Sequence, residues 1–339
     1  MMKTQLLTEE QINKAAQIIK DGGLVAMPTE TVYGLAADAL NGNAVAKIFK
    51  AKGRPMDNPL IVHIAEFQDM ERLVSYFPEK ARLLASSFWP GPLTIVLPKS
   101  GLIPDEVSAG LDTVGIRFPA HPLAQALIKE SGTPLAAPSA NRSGIPSPTT
   151  ARHVLQDMDG RIEAVLDGGE CRVGVESTVI TLAGDRPRLL RPGGVTLEQM
   201  EAAIGKIDVD DAVLHRLNDG VKAASPGMKY RHYAPKAHVV LIKAADQKYI
   251  DYVNNHADER TACMCFEEDV AALRAGKAYP LGEKEDALCQ ARVLFRTLRQ
   301  IDDDGMTLVY ARCPETDGVG MAVYNRLIRA AGFEVMELA

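Results

Sequence analysis

The amino-acid sequence predicts an α/β protein of two domains, the first with a mixed, twisted sheet and helices, the second a smaller Rossmann-like parallel α/β domain. The chain has 339 residues, and at roughly 100 to 200 residues per domain this length fits two domains. Short apolar runs alternate with helical segments in both halves, as in α/β proteins. A stretch without clean periodicity lies between them and is typical of a linker. We therefore expect domains at 1–206 and 237–339, joined by a linker at 207–236.

In the first half, the first helix is predicted to begin at a capping-box pattern, Thr8 with Gln11, and to end at Gly22. Helices such as "NAVAKIFKAK" and "HPLAQALIKESG" separate the strands. The apolar runs that predict strands are "LVAM", "PLIVHI", "LTIVLP", "VGIRF", "PLAA", "AVLDGG", "STVITL" and "RLLRP". Together they predict a mixed sheet that ends near Gly205.

In the second half, strands and helices alternate regularly from His238 onward. The longest helical segment is "EDALCQARVLFRTLRQ". The predicted strands are "HVVLI", "ACMCF", "TLVYA" and "FEVMEL". Because each strand is followed by a helix, we expect a small parallel sheet with both faces covered.

Composition excludes several classes of protein. The formal net charge is -6, with 38 basic and 44 acidic residues, which argues against coating nucleic acid by bulk charge. The five cysteines include no Cys-x-x-Cys pair, so neither a disulfide framework nor a zinc site is predicted. No apolar run is long enough for a signal peptide or a membrane span, and we expect a cytoplasmic protein without membrane contact.

A cluster of cations, Lys50, Lys52 and Arg54, lies in "KAKGRP" at the end of a predicted helix. The sequence has no Walker loop and no Rossmann fingerprint, so bound phosphates would have to be held by cationic side chains instead. A solvated helix end, whose cations complement the helix dipole, is the alternative interpretation. The cluster alone does not decide between the two.

Five polar segments occur where predicted strands end, which is where rigid sheets usually carry functional residues. Each one alone also has a structural explanation, such as a turn hydroxyl, a helix cap or a hydrogen-bonded core histidine. Their occurrence together with the cation cluster favours a binding site. The segments are "PTETVYGL", "DNPLIVHI", "GLDTVGIRFP", "APSANRSG" and "GVESTV".

The motifs "PTETVYGL", "KGRP" followed by "NPL", "PSAN" and "GVESTV" resemble those of the YrdC-like threonylcarbamoyl-AMP synthases. The segment "SPGMKYRHYAP", followed by an α/β domain, is similar to the two-domain members of that family. The resemblance implies a YrdC-like first domain and an adenylyl-transfer reaction. L-threonine, bicarbonate or CO2, and ATP would give threonylcarbamoyl-AMP and pyrophosphate. A partner transferase would then use the product to modify an adenosine beside the anticodon of tRNA.

The resemblance also implies an ATP site. The family's K-x-R and S-x-N pairs fall on Lys52 and Arg54 and on Ser139 and Asn141. Because a carboxylate must approach the triphosphate, cations are needed to offset the repulsion, so Lys52 and Arg54 are the predicted catalytic residues. Mg²⁺ is expected on the ATP phosphates, without protein ligands. The full predicted ATP-binding set is Lys52, Arg54, Asn58, Thr113, Ser139, Asn141, Ser147 and Arg191.

Threonine needs an anchor for its carboxylate, and Arg117 is the predicted one because a guanidinium matches a carboxylate bidentately. The resemblance adds Thr31, His63, Ser177 and the backbone of Ala137 to the same pocket. One methyl group distinguishes threonine from serine and is worth roughly 1 to 3 kcal/mol, so we expect partial selectivity.

Three aromatic residues of the linker, Tyr230, His232 and Tyr233, are predicted to belong to a lid. Such a lid would exclude water from a labile mixed anhydride. The alternative is a connector that its aromatic side chains fix to the surface.

Two other functions fit parts of the sequence. An RNA-binding module could present the cation cluster and Arg142 to tRNA without chemistry, and a weak tRNA contact is also compatible with the synthase. A related transferase would activate carbamoyl phosphate with ATP, but its zinc-finger-like cysteines are missing here. A requirement for threonine separates the synthase from both.

Overall fold

The computed structural model describes residues 3–215 and 233–338, which divide into two compact units. The described part of the first unit comprises residues 3–143 and 147–215. The second comprises residues 233–338 and, in addition, Gly144–Pro146. A short piece of a loop in the first half of the chain is therefore part of the second unit.

The first unit is built on an 11-stranded sheet in the order β1-β8-β2-β3-β7-β4-β6-β5-β9-β10-β11. The central strands pair in both senses, β4 parallel to β6 and β5 antiparallel to β6, so the predicted mixed sheet is confirmed. The strands are β1 (Gln5–Leu7), β2 (Val25–Met27), β3 (Gly34–Asp38), β4 (Ile61–His63), β5 (Leu93–Pro98), β6 (Thr113–Arg117), β7 (Leu135–Ala136), β8 (Ala164–Leu166), β9 (Thr178–Thr181), β10 (Arg188–Arg191) and β11 (Asp208–Val209).

Helices pack on this sheet. The capping pattern at Thr8 opens the 3₁₀ turn Glu9–Gln11 that leads directly into helix α1, with the backbone N–H of Thr8 donating to Oε1 of Gln11 at 3.1 Å. Helix α1 ends before Gly22, whose φ of +72° is a conformation that favours glycine. The helices are α1 (Ile12–Lys20), α2 (Gly42–Lys52), α3 (Asp69–Leu73), α4 (Glu79–Phe88), α5 (Asp105–Ser108), α6 (Pro122–Ser131), α7 (Ala151–Met158) and α8 (Leu197–Ile204), with 3₁₀ turns at Glu9–Gln11 and Asp211–Val213.

Residues 208–213, within the stretch predicted as linker, add structure to the first unit. They form β11, which pairs with β10, and the second 3₁₀ turn. Ala212 of that turn is buried in a small apolar cluster with Ile61, Val96, Val179 and Leu190. The chain therefore covers part of the central sheet before it reaches the second unit.

The second unit has a five-stranded sheet in the order β14-β13-β15-β12-β16 in which each pair is parallel. This confirms the predicted small parallel domain. Its elements are β12 (His238–Lys243), α9 (Asp246–His256), β13 (Thr261–Cys265), a 3₁₀ helix (Glu267–Ala272), β14 (Lys277–Pro280), α10 (Ala287–Asp303), β15 (Leu308–Arg312), α11 (Gly320–Ala330) and β16 (Val335–Glu337).

Strands β1, β3 and β11 of the first unit are absent from the sequence-based prediction, and so is β14 of the second. Strand β14 has four residues, two of them exposed, and ends in Pro280 at the edge of the sheet. Proline cannot donate to a strand ladder and is confined to such positions, so the run lacks the apolar pattern of a buried strand. Among the helices of both described ranges, none is long and apolar enough to cross a membrane.

Candidate functional site

Lys52, the last residue of α2, is buried and joins the cation cluster to the "PSAN" loop. Its side chain is 4% exposed, because Gly53 turns the chain with φ +63° immediately after it. The ammonium Nζ donates to the carbonyl oxygens of Ser139 at 2.5 Å and Asn141 at 2.6 Å. An ammonium has three N–H donors, and the part of the chain that the structure describes supplies acceptors for two of them, so the third suits a further acceptor such as a phosphate oxygen.

The environment of Lys52 weakens its hold on a proton. Burial, together with the positive charge of Arg54, lowers the pKa of Lys52 to about 7, while Asp157 and Glu176 act in the opposite direction. An anionic ligand stabilises the protonated form of such a buried amine, because the ligand supplies the missing negative charge. Side chains with strongly shifted pKa values are frequent at functional sites.

Asn58 lies beside the cations with an unsatisfied amide. It is fully buried, and its backbone oxygen accepts from Nη2 of Arg54 at 3.0 Å. Among residues 3–215 and 233–338, its side-chain Oδ1 and Nδ2 have no hydrogen-bond partner. Buried amides are normally paired, so this side chain is suited to a polar ligand.

Ser147 belongs to the same region through Glu176. Its hydroxyl is fully buried and donates to Oε1 of Glu176 at 2.6 Å. The backbone N–H of Ser143 donates to the carbonyl oxygen of Lys52 at 3.1 Å. These two bonds attach both sides of the loop between Asn141 and Ser147 to the motifs "KGRP" and "GVESTV".

A second group of polar side chains surrounds Arg117 at the end of β6. Arg117 pairs in register with His63 on β4 and Thr94 on β5. Its Nη2 donates to Oε1 of Glu30 at 2.6 Å, and both side chains are about 5% exposed or less. The backbone N–H of Ala120 donates to the other oxygen of Glu30 at 3.1 Å, so this carboxylate is fixed on both sides.

The Arg117 guanidinium keeps donor capacity for a ligand. In the part of the chain that the structure describes, its buried Nε has no hydrogen-bond partner. Burial and the neighbouring charge of Arg117 lower the pKa of His63 to about 3, so this imidazole is neutral. The free N–H of this buried guanidinium, beside a neutral ring, is suited to bind a carboxylate.

Ser177 is held between two neighbours. Its hydroxyl lies 2.8 Å from that of Thr94 and accepts from Nη2 of Arg191 at 3.1 Å, while Nε of Arg191 donates to the Ser177 carbonyl oxygen at 3.0 Å. Gly193 allows this approach, since a Cβ there would lie 2.3 Å from the Thr178 nitrogen. Arg191 is thus buried, and its hydrogen bonds to Ser177 stabilise the "GVESTV" segment.

Thr31 and the "GVESTV" loop are joined by their backbones. The N–H of Gly174 donates to the Thr31 carbonyl oxygen at 3.1 Å, and the N–H of Val173 donates to that of Glu30 at 2.8 Å. The Thr31 hydroxyl lies 2.8 Å from that of Thr29. The first and last motifs of this domain therefore meet in space.

The remaining predicted residues occupy different places. The N–H of Ala137 donates to the Ile61 carbonyl oxygen at 2.9 Å, and Ser139 bridges to Gly34. Thr113 starts β6, four residues before Arg117, which at 3.3 Å per residue is about 13 Å away. Tyr233 lies in the second unit, whereas Tyr230 and His232 lie outside the described residues.

Three polar side chains of the site were not singled out in the sequence: Glu30, Thr94 and Glu176. Glu30 and Glu176 lie inside two of the quoted motifs. A carboxylate placed among predicted anion-binding residues was the feature that could have identified them. Thr94 sits in an otherwise apolar strand and gave none. In both described ranges, no group of three or more His, Cys, Asp or Glu side chains could hold a metal ion.

The strand ends of this mixed α/β sheet carry buried cations, hydroxyls and an amide that is unpaired within the described residues. Such an arrangement is typical of the class of proteins that bind small anionic ligands. The family model described as "Telomere recombination", of the Sua5, YciO and YrdC proteins, matches residues 17–193. The model described as "Threonylcarbamoyl-AMP synthase, C-terminal domain" matches residues 195–332. The chain belongs to the threonylcarbamoyl-AMP synthase family, in its two-domain form.

Individual relatives agree over the whole length. A threonylcarbamoyl-AMP synthase of Pyrococcus abyssi is 48% identical over 98% of this chain and 97% of its own. One of Bacillus subtilis is 46% identical over 97% and 95%. The crystal structure of Pyrococcus abyssi Sua5 complexed with L-threonine has a TM-score of 0.90 and 45% identity, covering 99% of both chains. The family and fold predicted from the motifs are confirmed.

Proposed function

We propose that this protein makes threonylcarbamoyl-AMP and pyrophosphate from L-threonine, bicarbonate or CO2, and ATP. The observation that carries the proposal is the pair of buried, incompletely satisfied polar groups in the first unit. One is Lys52 with the amide of Asn58, and the other is Arg117 with its Nε; neither that amide nor that Nε has a hydrogen-bond partner in the described ranges. They supply one place for a polyphosphate and one for an amino-acid carboxylate.

At the nucleotide end, Lys52 and Arg54 offset the charge of the triphosphate. The third N–H of Lys52 and the Asn58 amide donate to phosphate oxygens. Ser139, Asn141, Ser147, Thr113 and Arg191 complete the predicted ATP set. Mg²⁺, carried on the phosphates, would stabilise the leaving pyrophosphate, which fits a donor set that has cations and amides rather than a cluster of carboxylates.

At the amino-acid end, Arg117 binds the threonine carboxylate. Glu30 holds the guanidinium in one orientation through the 2.6 Å contact, and neutral His63 adds no competing charge. Thr31, Ser177 and the backbone of Ala137 line the same pocket. The Glu30 carboxylate also balances the buried cation when threonine is absent.

Chemistry then proceeds in two steps. The threonine amine attacks the carbon of CO2 and releases a proton to solvent, or attacks the carbon of bicarbonate and expels water that carries the amine proton; either route gives the N-carboxylate. An oxygen of that carboxylate attacks the α-phosphorus of ATP, and the bond to the bridging oxygen breaks to release pyrophosphate. No covalent intermediate with the protein is needed, because alignment of two bound reactants can lower the barrier by about 7 to 11 kcal/mol.

The product is a mixed anhydride that water hydrolyses, so the predicted lid of Tyr230, His232 and Tyr233 would protect it. A downstream transferase would accept it and modify tRNA, with at most a weak tRNA contact by this chain. The cytoplasmic location stays a prediction from the sequence.

Carbon-13 bicarbonate tests the proposal directly. The full chain is incubated with ATP, Mg²⁺ and labelled bicarbonate, with and without L-threonine. The nucleotides are then separated by chromatography, and their masses are measured by mass spectrometry. We expect a labelled threonylcarbamoyl adenylate only when threonine is present. ATP turnover without this product, or a product without the label, would contradict the proposal. Binding of tRNA without turnover would favour the RNA-binding alternative.

A further inference from the structure

Thr94 borders two residues of the predicted threonine pocket. It is fully buried in β5 and pairs in register with Arg117 on β6. Paired residues of neighbouring strands lie on the same face of a sheet, with Cβ atoms about 5 Å apart. The hydroxyl of Thr94 lies 2.8 Å from that of Ser177. Thr94 is therefore next to Arg117 across the strand ladder and next to Ser177 through a hydrogen bond.

Gly115 leaves an opening in this face of the sheet, beside the methyl group of Thr94. Gly115 lies two residues before Arg117 on β6, so both residues are on the same face. A Cβ at Gly115 would lie 3.1 Å from Cγ2 of Thr94. It would also contact Cγ1 of Ile61 at 3.6 Å and Cγ2 of Val96 at 3.7 Å. The missing side chain of Gly115 therefore creates space between these three side chains.

A small cavity occupies this space, and its lining is mainly apolar. Ile61, Gly115, Val96 and Val179 line it from the neighbouring strands β4, β6, β5 and β9. Thr94 contributes to the same lining, with its hydroxyl turned to Ser177 and its methyl group near Gly115. The cavity has room for about one group of the size of a water molecule. An apolar space of this size suits a methyl group and is too small for a purine ring.

The cavity is within reach of a threonine whose carboxylate is bound to Arg117. The methyl carbon of threonine lies three bonds from its carboxylate carbon, which is about 4 Å. Together with a hydrogen bond of about 2.9 Å, this span is comparable with the roughly 6.6 Å that separates Arg117 from Gly115 along β6. Thr113, two residues beyond Gly115, also lines the cavity and belongs to the predicted ATP set. The cavity therefore lies between the two predicted ends of the site.

We propose that Thr94 and Gly115 form the pocket for the methyl group of L-threonine and determine its selection over L-serine. The inference rests on the proposed function and deepens it, because it names residues that recognise the side chain of the amino acid. Serine has the same carboxylate, amine and hydroxyl, so the filling of this methyl pocket is what distinguishes the two substrates. Recognition of one methyl group corresponds to a roughly 10- to 200-fold difference in kcat/KM.

Gly115→Ala in the full chain tests the assignment, because the added Cβ fills the methyl pocket. The φ of Gly115 is not in the left-handed region, so alanine is compatible with the backbone. Pyrophosphate release gives kcat/KM for L-threonine and for L-serine. We expect kcat/KM to fall about tenfold or more for threonine and less than about threefold for serine. A purely structural role of Gly115 would lower both values equally.

Thr94→Ser enlarges the methyl pocket instead of filling it, and it keeps the hydroxyl beside Ser177. We expect the ratio of kcat/KM for threonine over serine to fall about threefold or more, which provides a test even if Gly115→Ala does not fold. Gly184→Ala is the matched control, because a Cβ there has no neighbour within 4 Å among the described residues. Both kcat/KM values should be unchanged in this control.

Two results would overturn the inference: an unchanged ratio in the folded variants, or equal losses for the two amino acids. A raised KM for ATP with an unchanged ratio would assign the cavity to the nucleotide and would also overturn it. Equal kcat/KM values for threonine and serine in the unmodified protein would contradict the inference alone. Absence of any threonine-dependent product in the unmodified protein would instead contradict the proposed function.

Discussion

The buried ammonium of Lys52 predicts that ATP binding weakens as pH rises above neutrality. In the free protein the pKa of Lys52 is lowered to about 7, first by burial and then by Arg54. The neutral amine therefore predominates above pH 7. A polyphosphate favours the protonated form, so binding at higher pH must be accompanied by uptake of a proton.

The size of the effect follows from that pKa. If only the protonated form of Lys52 binds phosphates, the apparent Kd of ATP is proportional to 1 + 10^(pH − pKa). From pH 7 to pH 9, the Kd of ATP should rise about fiftyfold. At pH 8, about 0.9 proton should be taken up per nucleotide bound.

Calorimetric titration with Mg²⁺-ATP in buffers of different ionisation enthalpy measures both quantities. Lys52→Arg is the control, because a guanidinium stays charged over this range, so its pH profile reports only the ionisation of the nucleotide. The reasoning is refuted if the unmodified protein and Lys52→Arg show the same pH dependence, or if no proton is taken up at pH 8.

Three further predictions concern other parts of the molecule. Arg117→Lys should raise the Kd of L-threonine about ten- to a hundredfold, because the charge-assisted hydrogen bond from Nε, worth about 1.5 to 3 kcal/mol, is lost. ATP binding should be unchanged; calorimetry with each ligand separately checks this, and equal losses would argue against the assignment. L-Serine should be a substrate in place of L-threonine, with a kcat/KM lower by roughly 10- to 200-fold, because the pocket distinguishes the two by one methyl group. Equal kcat/KM values for the two amino acids would exclude a pocket that recognises this methyl group. In the second unit, Arg312 contacts Asp269 through Nε at 3.0 Å, both side chains being 4% exposed, and its Nη2 contacts the more exposed Asp246. Asp269→Ala should lower the free energy of unfolding in urea by about 3 to 5 kcal/mol, because the buried cation loses its buried partner; a loss below about 1 kcal/mol would show that the contact with Asp246 suffices.

The sequence predicted those parts of the fold that depend on local pattern. Short apolar runs located eight of the eleven strands of the first sheet but not β1, β3 or β11. The capping pattern at Thr8 located the 3₁₀ turn that leads into the first helix. Strand β14 was missed because "KAYP" carries no burial pattern at the sheet edge. The 3₁₀ helix after β13 was expected to be an ordinary helix, because composition does not distinguish the two over six residues.

The site was predictable as a set of motifs but not as a set of contacts. "KGRP" indicated an anion site, yet nothing local indicated that Lys52 would be buried against the carbonyl oxygens of Ser139 and Asn141, which are about ninety positions away. Glu30 and Arg117 are separated by a similar distance in the chain. Such pairings depend on strand order, which periodicity does not encode.

The most direct test of the central claim is pyrophosphate release by the full chain in the presence of ATP, Mg²⁺ and bicarbonate. A coupled phosphate assay is run with L-threonine, with L-serine and without an amino acid. Release that requires threonine and falls sharply with serine is the predicted result. Release that is indifferent to the amino acid, or absent in all three reactions, would contradict the assignment of Lys52 and Arg117 to the two halves of one adenylating site.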